Sequence, residues 1–338
     1  MSLSISLFVS VSLSLELFSP LHHPILISLG QKSAVSRFSE PRLHTTSTES
    51  SANADWISVL SSRLWDMPLH HLSIPGSHGT MTYCLNKKSQ EVSHKESRLL
   101  QLLGKVLPCV TLPMVLKWST TQGGSVAGCW WEDLWMAHME EGTERNLHSG
   151  HMVYMMALME KALTEILEWL KNHPQEVVIL VCRNFKGMME DLHEYLMGCI
   201  ENILGDMLCP RGKVPTLHQL WSQGQQVILS YKDKTSMSQH AELWPSIPYW
   251  WGNQVEPQDF VHCLECMKSC SHPGECCLHT RTPVEKLAQW GLPYLCAWVG
   301  GQHPGSAAGC TNTIAGHFIW ANGFVETVSQ SCPLMSLA

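Results

Sequence analysis

The stretch MALMEKALTEILEWLKNHPQEVVILVCRNF, residues 156–185, decides the fold class. Its first half, Met156–Leu170, has apolar residues at helical spacing with charged residues between them, which predicts an amphipathic helix. The sequence Asn172-His173-Pro174 predicts the end of that helix. Val177–Cys182 is then a continuous apolar run, typical of a strand that is buried on both faces. The stretch therefore predicts a helix followed by a strand of a parallel sheet.

The same alternation continues on both sides of this stretch. Asp191–Leu204 and Leu217–Ser222 are predicted helices, and Val227–Tyr231 is a predicted buried strand. Leu69–Ile74 is a predicted strand that ends at a Pro-Gly-Ser turn. Strands that alternate with helices indicate an α/β fold with a parallel sheet. Repetition over about 270 residues is typical of a β/α barrel, and an open doubly wound sheet is the alternative.

The N-terminal residues differ in composition from the rest of the chain. Ser and Leu dominate residues 1–18, and residues 35–54 are rich in short polar side chains, as linkers are. The start lacks the basic residues and the small-residue cleavage site of a secretory signal. We therefore predict a low-complexity leader and linker over residues 1–52, with a secretory signal as the alternative. The catalytic-type domain is predicted over 53–330, and a tail over 331–338.

Composition and charge exclude several classes of function. A net charge of -7 gives no electrostatic basis for binding nucleic acid. Neither GxGxxG nor GxxxxGK[ST] occurs, so nucleotide binding has little support. No stretch is long and apolar enough to predict a transmembrane helix. The 14 Cys are scattered without regular spacing, which favours a reducing compartment and a cytoplasmic protein.

Polar residues at the ends of the apolar runs are the candidate functional residues, because a β/α barrel presents its chemistry at the C-terminal ends of its strands. Histidine can transfer a proton near neutral pH, and arginine can bind a phosphate through two parallel hydrogen bonds. The pattern indicates acid/base chemistry on an anionic substrate. With 19 His in the chain, any one of them can equally be an ordinary core or surface residue. The residues are His78, Asp133 to Trp135, His151, Arg183, Tyr231 and His317.

Long stretches of the chain resemble the X domain of phosphatidylinositol-specific phospholipases C. They include LWDMPLHHLSIPGSHGTMTYCLNKKS (64–89), TEILEWLKNHPQEVVILVCRNF (164–185) and IAGHFIWANGFV (314–325), and the matching stretches together cover most of residues 53–328. The resemblance implies a distorted TIM barrel. It also implies cleavage of a phosphatidylinositol-type lipid, at a membrane surface, into diacylglycerol and an inositol phosphate.

The resemblance also implies a role for each matched residue. His78 matches the general base that deprotonates an inositol hydroxyl, and His151 matches the general acid for the diacylglycerol oxygen. Asp133 matches an acidic residue of the site, and Arg183 lies where relatives place a charged residue beside the substrate. Tyr231 is expected to contribute to a platform for the inositol ring.

Three positions depart from the pattern of the family. Gly79 stands where relatives have Asp or Asn, Trp135 where they have the arginine that neutralises the phosphorane or a metal ligand, and His317 where they have an aspartate. We therefore expect impaired phosphodiester hydrolysis without a cofactor, since the sequence supplies little for calcium beyond Glu132 and Asp133. The alternative is a catalytically inactive protein that binds an inositol phospholipid or another protein in the same pocket.

The scaffold is also shorter than the family pattern near residues 123–131 and 270–291, which predicts a barrel with incomplete strands. A pseudoenzyme, a degraded or alternatively spliced product and an imperfect translation of the gene are the three explanations. The second of these segments lies in a cluster rich in Cys and His, whose spacing permits zinc binding. We favour incidental cysteines on a helix over a zinc site. The cluster comprises Cys263, Cys266, Cys270, His272, Cys276, Cys277 and His279.

Overall fold

The computed structural model describes a large part of the chain. The described residues are 10–12, 55–79, 81–82, 120, 131–139, 146–151, 153–186, 188–247, 249–253, 256–270, 275–277, 284–305, 310–319 and 323–331.

The strands of these regions form one sheet, with the order β10-β9-β1-β11-β2-β3-β6-β7-β8. From β11 to β8 all neighbours are parallel. The strands β4 and β5 form an antiparallel hairpin that pairs with β3. The strands are β1 (Ser10–Ser12), β2 (Ile74–His78), β3 (Trp131–Met139), β4 (Asn146–His151), β5 (Val153–Leu158), β6 (Val178–Lys186), β7 (Val227–Tyr231), β8 (Leu243–Trp244), β9 (Tyr249–Asn253), β10 (Glu275–Cys277) and β11 (Thr313–Gly316).

Helices alternate with the parallel strands, so the predicted α/β fold is confirmed. The helix predicted from Met156 begins at Met159, because the preceding residues belong to β5. The predicted helix around Cys263 and Cys266 is also present. The helices are α1 (Met159–Asn172), α2 (Glu190–Leu204), α3 (Leu217–Ser222), α4 (Lys234–Gln239), α5 (Pro257–Cys270), α6 (Val284–Val299) and α7 (Phe324–Gln330).

The prediction of a strand at Leu69–Ile74 that ends in a turn is wrong. Leu69–His71 forms a short 3-10 helix, and the strand is Ile74–His78, which contains the Pro-Gly-Ser sequence. The N–H of Ile74 points to β11, so the nitrogen of Pro75 points to the β3 side. On that side pairing begins only at Ser77, so the missing N–H of proline costs no ladder hydrogen bond.

Asn312 joins the starts of β11 and β2. Its side-chain Nδ2 donates to the backbone carbonyls of Leu69 (2.9 Å) and Leu72 (2.6 Å), and its backbone carbonyl accepts from the N–H of Ile74 (2.8 Å). Asn312 is buried, where an unmade hydrogen bond is costly. These bonds therefore hold the turn before β2 and the register of both strands.

The sheet includes three residues of the predicted leader. Residues 1–52 are predicted to lie outside the domain, but Ser10–Ser12 forms a strand between β9 and β11. The strand is antiparallel to both neighbours. The low-complexity composition therefore does not keep this segment outside the fold.

A histidine at the end of α4 is held between two glutamates of α2. In His240, Nδ1 lies 3.1 Å from Oε1 of Glu201, and Nε2 lies 3.2 Å from Oε1 of Glu194. An imidazolium can donate to both carboxylates at once, whereas a neutral ring can donate to only one. Burial lowers the pKa of His240, but the hydrogen bonds to the two glutamates outweigh it, so the pKa is raised above 6.5.

We predict that His240 stabilises the protein more at acid pH than at alkaline pH. The pKa of His240 is higher in the folded protein than its ordinary value of 6.5 in the unfolded chain. The protonated ring therefore stabilises the fold fully below pH 6.5, and this stabilisation is lost as the pH rises through the pKa of the folded state. The difference in unfolding free energy between the native protein and His240→Gln should be larger at pH 5.5 than at pH 8.5. Urea unfolding at both pH values measures it.

The same substitution at His218 is the control, because this ring also faces a carboxylate but is largely exposed. We expect little change in stability from His218→Gln. A cost of His240→Gln that is constant with pH, or that grows towards alkaline pH, would contradict the double hydrogen bond.

Candidate active site

The register of β11, β2 and β3 brings three of the predicted site positions together, because the ends of β11 and β2 lie level with the first part of β3. His78 is the register partner of Asp133, and Ser77 is the register partner of Gly316. His317 directly follows Gly316, so it lies level with His78. Parallel strands end at the same edge, which is why residues so far apart in the sequence meet here.

His78 and His317 form a buried pair of imidazoles. Their ring centroids are 5.3 Å apart, with an angle of 44° between the ring planes. Both residues are buried, with 0% and 2% of their surface exposed. A carboxylate at position 317 would stabilise a proton gained by His78, whereas a second imidazole at this distance repels the resulting charge if it is itself protonated.

Gly79 follows His78 with a backbone φ of 59°. This is the left-handed region, which glycine adopts without strain and which Asn and Asp tolerate better than most other residues. The Asp or Asn expected from the family resemblance is therefore compatible with this backbone. Glycine keeps the turn after β2 but supplies no group to orient the histidine.

Arg183 lies on the same face of the sheet as His78. Asp133 pairs with both His78 and Val181, and Arg183 comes two residues after Val181, so the alternation of strand side chains returns it to that face. Only 1% of its surface is exposed. It places a permanently charged guanidinium, a good partner for a phosphate, near the end of β6. Its register partner is Trp135, the position where an arginine is expected.

The hairpin strand β4 carries His151 towards the end of β2. Its pairing with β3 runs from Asn146 opposite Met139 to Ser149 opposite Met136. β6 pairs with one side of β3 as far as Ala137. β4 therefore pairs with the other side of β3, the side on which β2 also pairs. His151 is the last residue of β4, two residues beyond Ser149, and the strand runs back along β3 in the direction of Asp133, the partner of His78.

Tyr231 is not brought to the His78 face. Its register partner is Cys182, which precedes Arg183 and therefore lies on the opposite face of the sheet. There its hydroxyl oxygen lies 2.7 Å from Nδ1 of His193 on helix α2. The ring of Phe185 lies 4.6 Å from the ring of Tyr231 between centroids. Tyr231 is completely buried beneath the helix layer, so this position does not form the predicted platform for an inositol ring.

Burial keeps the Tyr231–His193 pair uncharged. It lowers the pKa of His193, although Asp233 and Glu194 act in the opposite direction. It also raises the pKa of the Tyr231 phenol. The pair is therefore a neutral hydrogen bond between the sheet and α2. Sequence reasoning missed His193, yet it lies three and four residues before Leu196 and Met197 on the apolar face of α2, and this spacing is the signal for a buried histidine.

The described side chains at the strand ends do not suit calcium. Calcium takes oxygen ligands, and His78, His317 and Arg183 present nitrogen. Elsewhere in the described regions, Glu201, His240 and Glu242 are grouped closely enough to hold a metal ion, but both His240 nitrogens already contact carboxylates. In the cluster rich in Cys and His, Cys263 is buried and Cys266 is exposed, and His272 and His279 lie outside the described residues.

Known proteins with similar sequences identify the family. The chain is 58% identical over 318 residues to human PI-PLC X domain-containing protein 1, covering 88% of this chain and 96% of the human protein. The chain belongs to the PI-PLC X domain-containing protein family. The zebrafish protein 1 of this family is 35% identical over 292 residues, which cover 81% of this chain and 94% of that protein. The chain matches no family model.

Solved structures confirm the fold. Phosphatidylinositol-specific phospholipase C from Staphylococcus aureus aligns with a TM-score of 0.55 at 12% identity, over 83% of this chain and 98% of that structure. The enzyme from Listeria monocytogenes aligns with a TM-score of 0.54 at 16% identity, over 82% and 98%. The chain therefore has the TIM-barrel-like fold predicted for it. None of the helices in the described parts of the chain is both long and apolar enough to cross a bilayer.

We predict that Tyr231→Phe destabilises the protein without weakening substrate binding. The change leaves the buried Nδ1 of His193 without its partner, at a cost of about 1–3 kcal/mol. KM for any substrate that binds at the His78 face should not change, because Tyr231 lies on the opposite face. Thermal unfolding and substrate titration measure the two effects.

Tyr195→Phe is the matched control. That phenol also makes one short hydrogen bond, 2.6 Å to Oε1 of Glu160, but it lies where water can replace the bond. It should cost less stability than Tyr231→Phe. A several-fold rise in KM for Tyr231→Phe with unchanged stability would show that Tyr231 contacts the substrate.

Proposed function

We propose that this protein hydrolyses the phosphodiester of phosphatidylinositol-type lipids slowly, through His78 and His151. One observation carries this proposal. His78 and His317 lie side by side, β4 pairs with the neighbouring strand, and Arg183 lies on the same face of the sheet as His78. The names of the structural neighbours, which are phosphatidylinositol-specific phospholipases C, support the substrate class.

The proposed reaction needs two proton-transferring groups on opposite sides of the phosphorus. His78 accepts the proton of an inositol hydroxyl, whose oxygen attacks the phosphorus and forms a new P–O bond. The bond from phosphorus to the diacylglycerol oxygen breaks, and His151 donates a proton to that oxygen. Attack by the inositol's own hydroxyl leaves the phosphate as a cyclic ester, which water can then open. Arg183 supplies positive charge on the side of the sheet where negative charge develops on the phosphoryl oxygens.

The departures from the family pattern support slow turnover. Trp135 removes a fixed positive charge from beside the phosphorus, and the loss of one such group typically lowers the rate by about 10²–10³. His317 replaces the carboxylate that would stabilise His78 once it holds a proton, and Gly79 cannot orient the ring. These losses concern one step, so they are not additive.

A second candidate function is binding without turnover. Three nitrogen side chains, those of His78, His317 and Arg183, lie on one buried face of the sheet. This arrangement favours an anionic headgroup whether or not the phosphodiester is cleaved. In this alternative the protein holds an inositol phosphate and releases no diacylglycerol.

We further propose that the protein acts at a membrane surface in the cytoplasm. The lipid substrate requires access to a membrane. The cysteines Cys199, Cys209, Cys266, Cys296 and Cys310 are free thiols, which supports a reducing compartment.

The double variant Trp135→Arg/His317→Asp should cleave phosphatidylinositol at least about 10²-fold faster than the native protein. The arginine restores the charge that neutralises the phosphorane, and the aspartate gives His78 a carboxylate partner. Gly79 is left unchanged so that any gain in rate is assigned to positions 135 and 317 alone. Release of inositol phosphate from mixed micelles, with and without calcium, measures the rate.

The control adds His78→Asn to the double variant and should abolish the gain. If the double variant is folded by circular dichroism and is no faster than the native protein, the proposed roles of positions 135 and 317 are wrong. If neither protein releases product but both bind soluble inositol phosphate, the second candidate function replaces the first.

A further inference from the structure

The N-terminal segment has the sequence pattern of a strand. From Ser10 to Leu15, hydroxyl and apolar residues alternate strictly as Ser-Val-Ser-Leu-Ser-Leu. A period of two places alternate residues on opposite faces of an extended chain, and Val has a high preference for strands. The segment can therefore present one hydroxyl face and one apolar face despite its low complexity.

The register places this segment in the sheet at one position. Val11 pairs with Ile314 of β11 on one side and with Trp250 of β9 on the other. Among the described strands, β9 and β11 are linked only through β1. Along the described path from β10 to β8, the two pairs that include β1 are antiparallel. The other pairs of neighbouring strands on that path are parallel.

The alternation matches the two faces of β11. Ser10 is level with Ala315, which pairs with Gly76 on the His78 face of β2. Val11 is level with Ile314, on the opposite face, which also contains Gly316.

Helix α7 covers this second face. A Cβ added to Gly316 would lie 3.4 Å from the ring of Phe324, the first residue of α7. Ile314 is completely buried on the same face. The backbone of Val11 is thus level with the residue of β11 on the helix-covered face, and the backbone of Ser10 is level with the residue of β11 on the face of the site.

We propose that the seam between β9 and β11 is a strand-accepting surface whose occupant is the protein's own N-terminal segment, around Ser10–Ser12. An unfilled seam would leave the backbone N–H and C=O groups of two strands unpaired at the edge that carries His317. The segment takes the place of a barrel strand, so its removal opens the sheet next to the site. The proposal does not depend on turnover.

Hydrogen exchange on the full-length native protein tests this pairing directly. The amides of residues 10–12 are predicted to exchange as slowly as those of Thr313–Gly316, because the strand is paired on both sides. Exchange of these amides at the rate of an unstructured chain overturns the proposal.

A proline substitution with a matched control provides the second test. Val11→Pro removes an N–H from the ladder and should lower the Tm by about 5 °C or more, and it should speed exchange in β9 and β11. The same change at Ser36, in the polar part of the leader, should leave both unchanged. An equal Tm for the native protein and Val11→Pro overturns the proposal.

Addition of the occupant in trans distinguishes a pairing surface from general destabilisation. A synthetic peptide of residues 5–17 should raise the Tm of the full-length Val11→Pro protein. The same peptide with proline at position 11 should not, because it cannot complete the ladder. Equal effects of the two peptides overturn the assignment of this segment as the occupant.

Discussion

The parallel register from β11 through β2 and β3 to β6 is the constraint on which the rest of the structure depends. It makes His317, His78 and Asp133 level with one another and returns Arg183 to the same face two residues later. The hydrogen bonds of Asn312 hold the start of this ladder. A shift of one residue would exchange the two faces, placing His78 under the helices and the apolar residues in the site.

The ladder is made by backbone groups and apolar side chains, so the residues at its end can change without loss of the fold. Gly79 and His317 lie just beyond the ends of β2 and β11, and Trp135 lies within β3, opposite Arg183. The same scaffold therefore supports the site of the family's pattern or this altered one. The difference from the site expected by family resemblance is one of charge around His78, with an imidazole at position 317 and an indole at position 135.

The hydrophobic pattern was sufficient to predict α1, β6 and β7, because α1 buries one apolar face and the two strands contain continuous apolar runs. It failed at β2, where Pro75 and Gly76 are residues typical of a turn. The strand accepts proline because β2 is not yet paired with β3 at the level of Pro75. The side of the sheet on which Tyr231 lies depends on how β7 pairs with β6. The sequence of one strand does not contain that information. β1 was not predicted, because a segment rich in Ser and Leu is compatible both with a leader and with a strand of alternating residues. The candidate histidines His78, His151 and His317 were singled out at the ends of apolar runs, and only their roles came from the family resemblance.

The most direct test of the account is the release of inositol phosphate from phosphatidylinositol vesicles by the native protein and by His78→Asn, both shown to be folded. The account predicts slow but measurable release by the native protein and at least about a hundredfold less by the variant. Equal release by the two proteins would contradict the role of His78. No release by the folded native protein would contradict hydrolysis as its function.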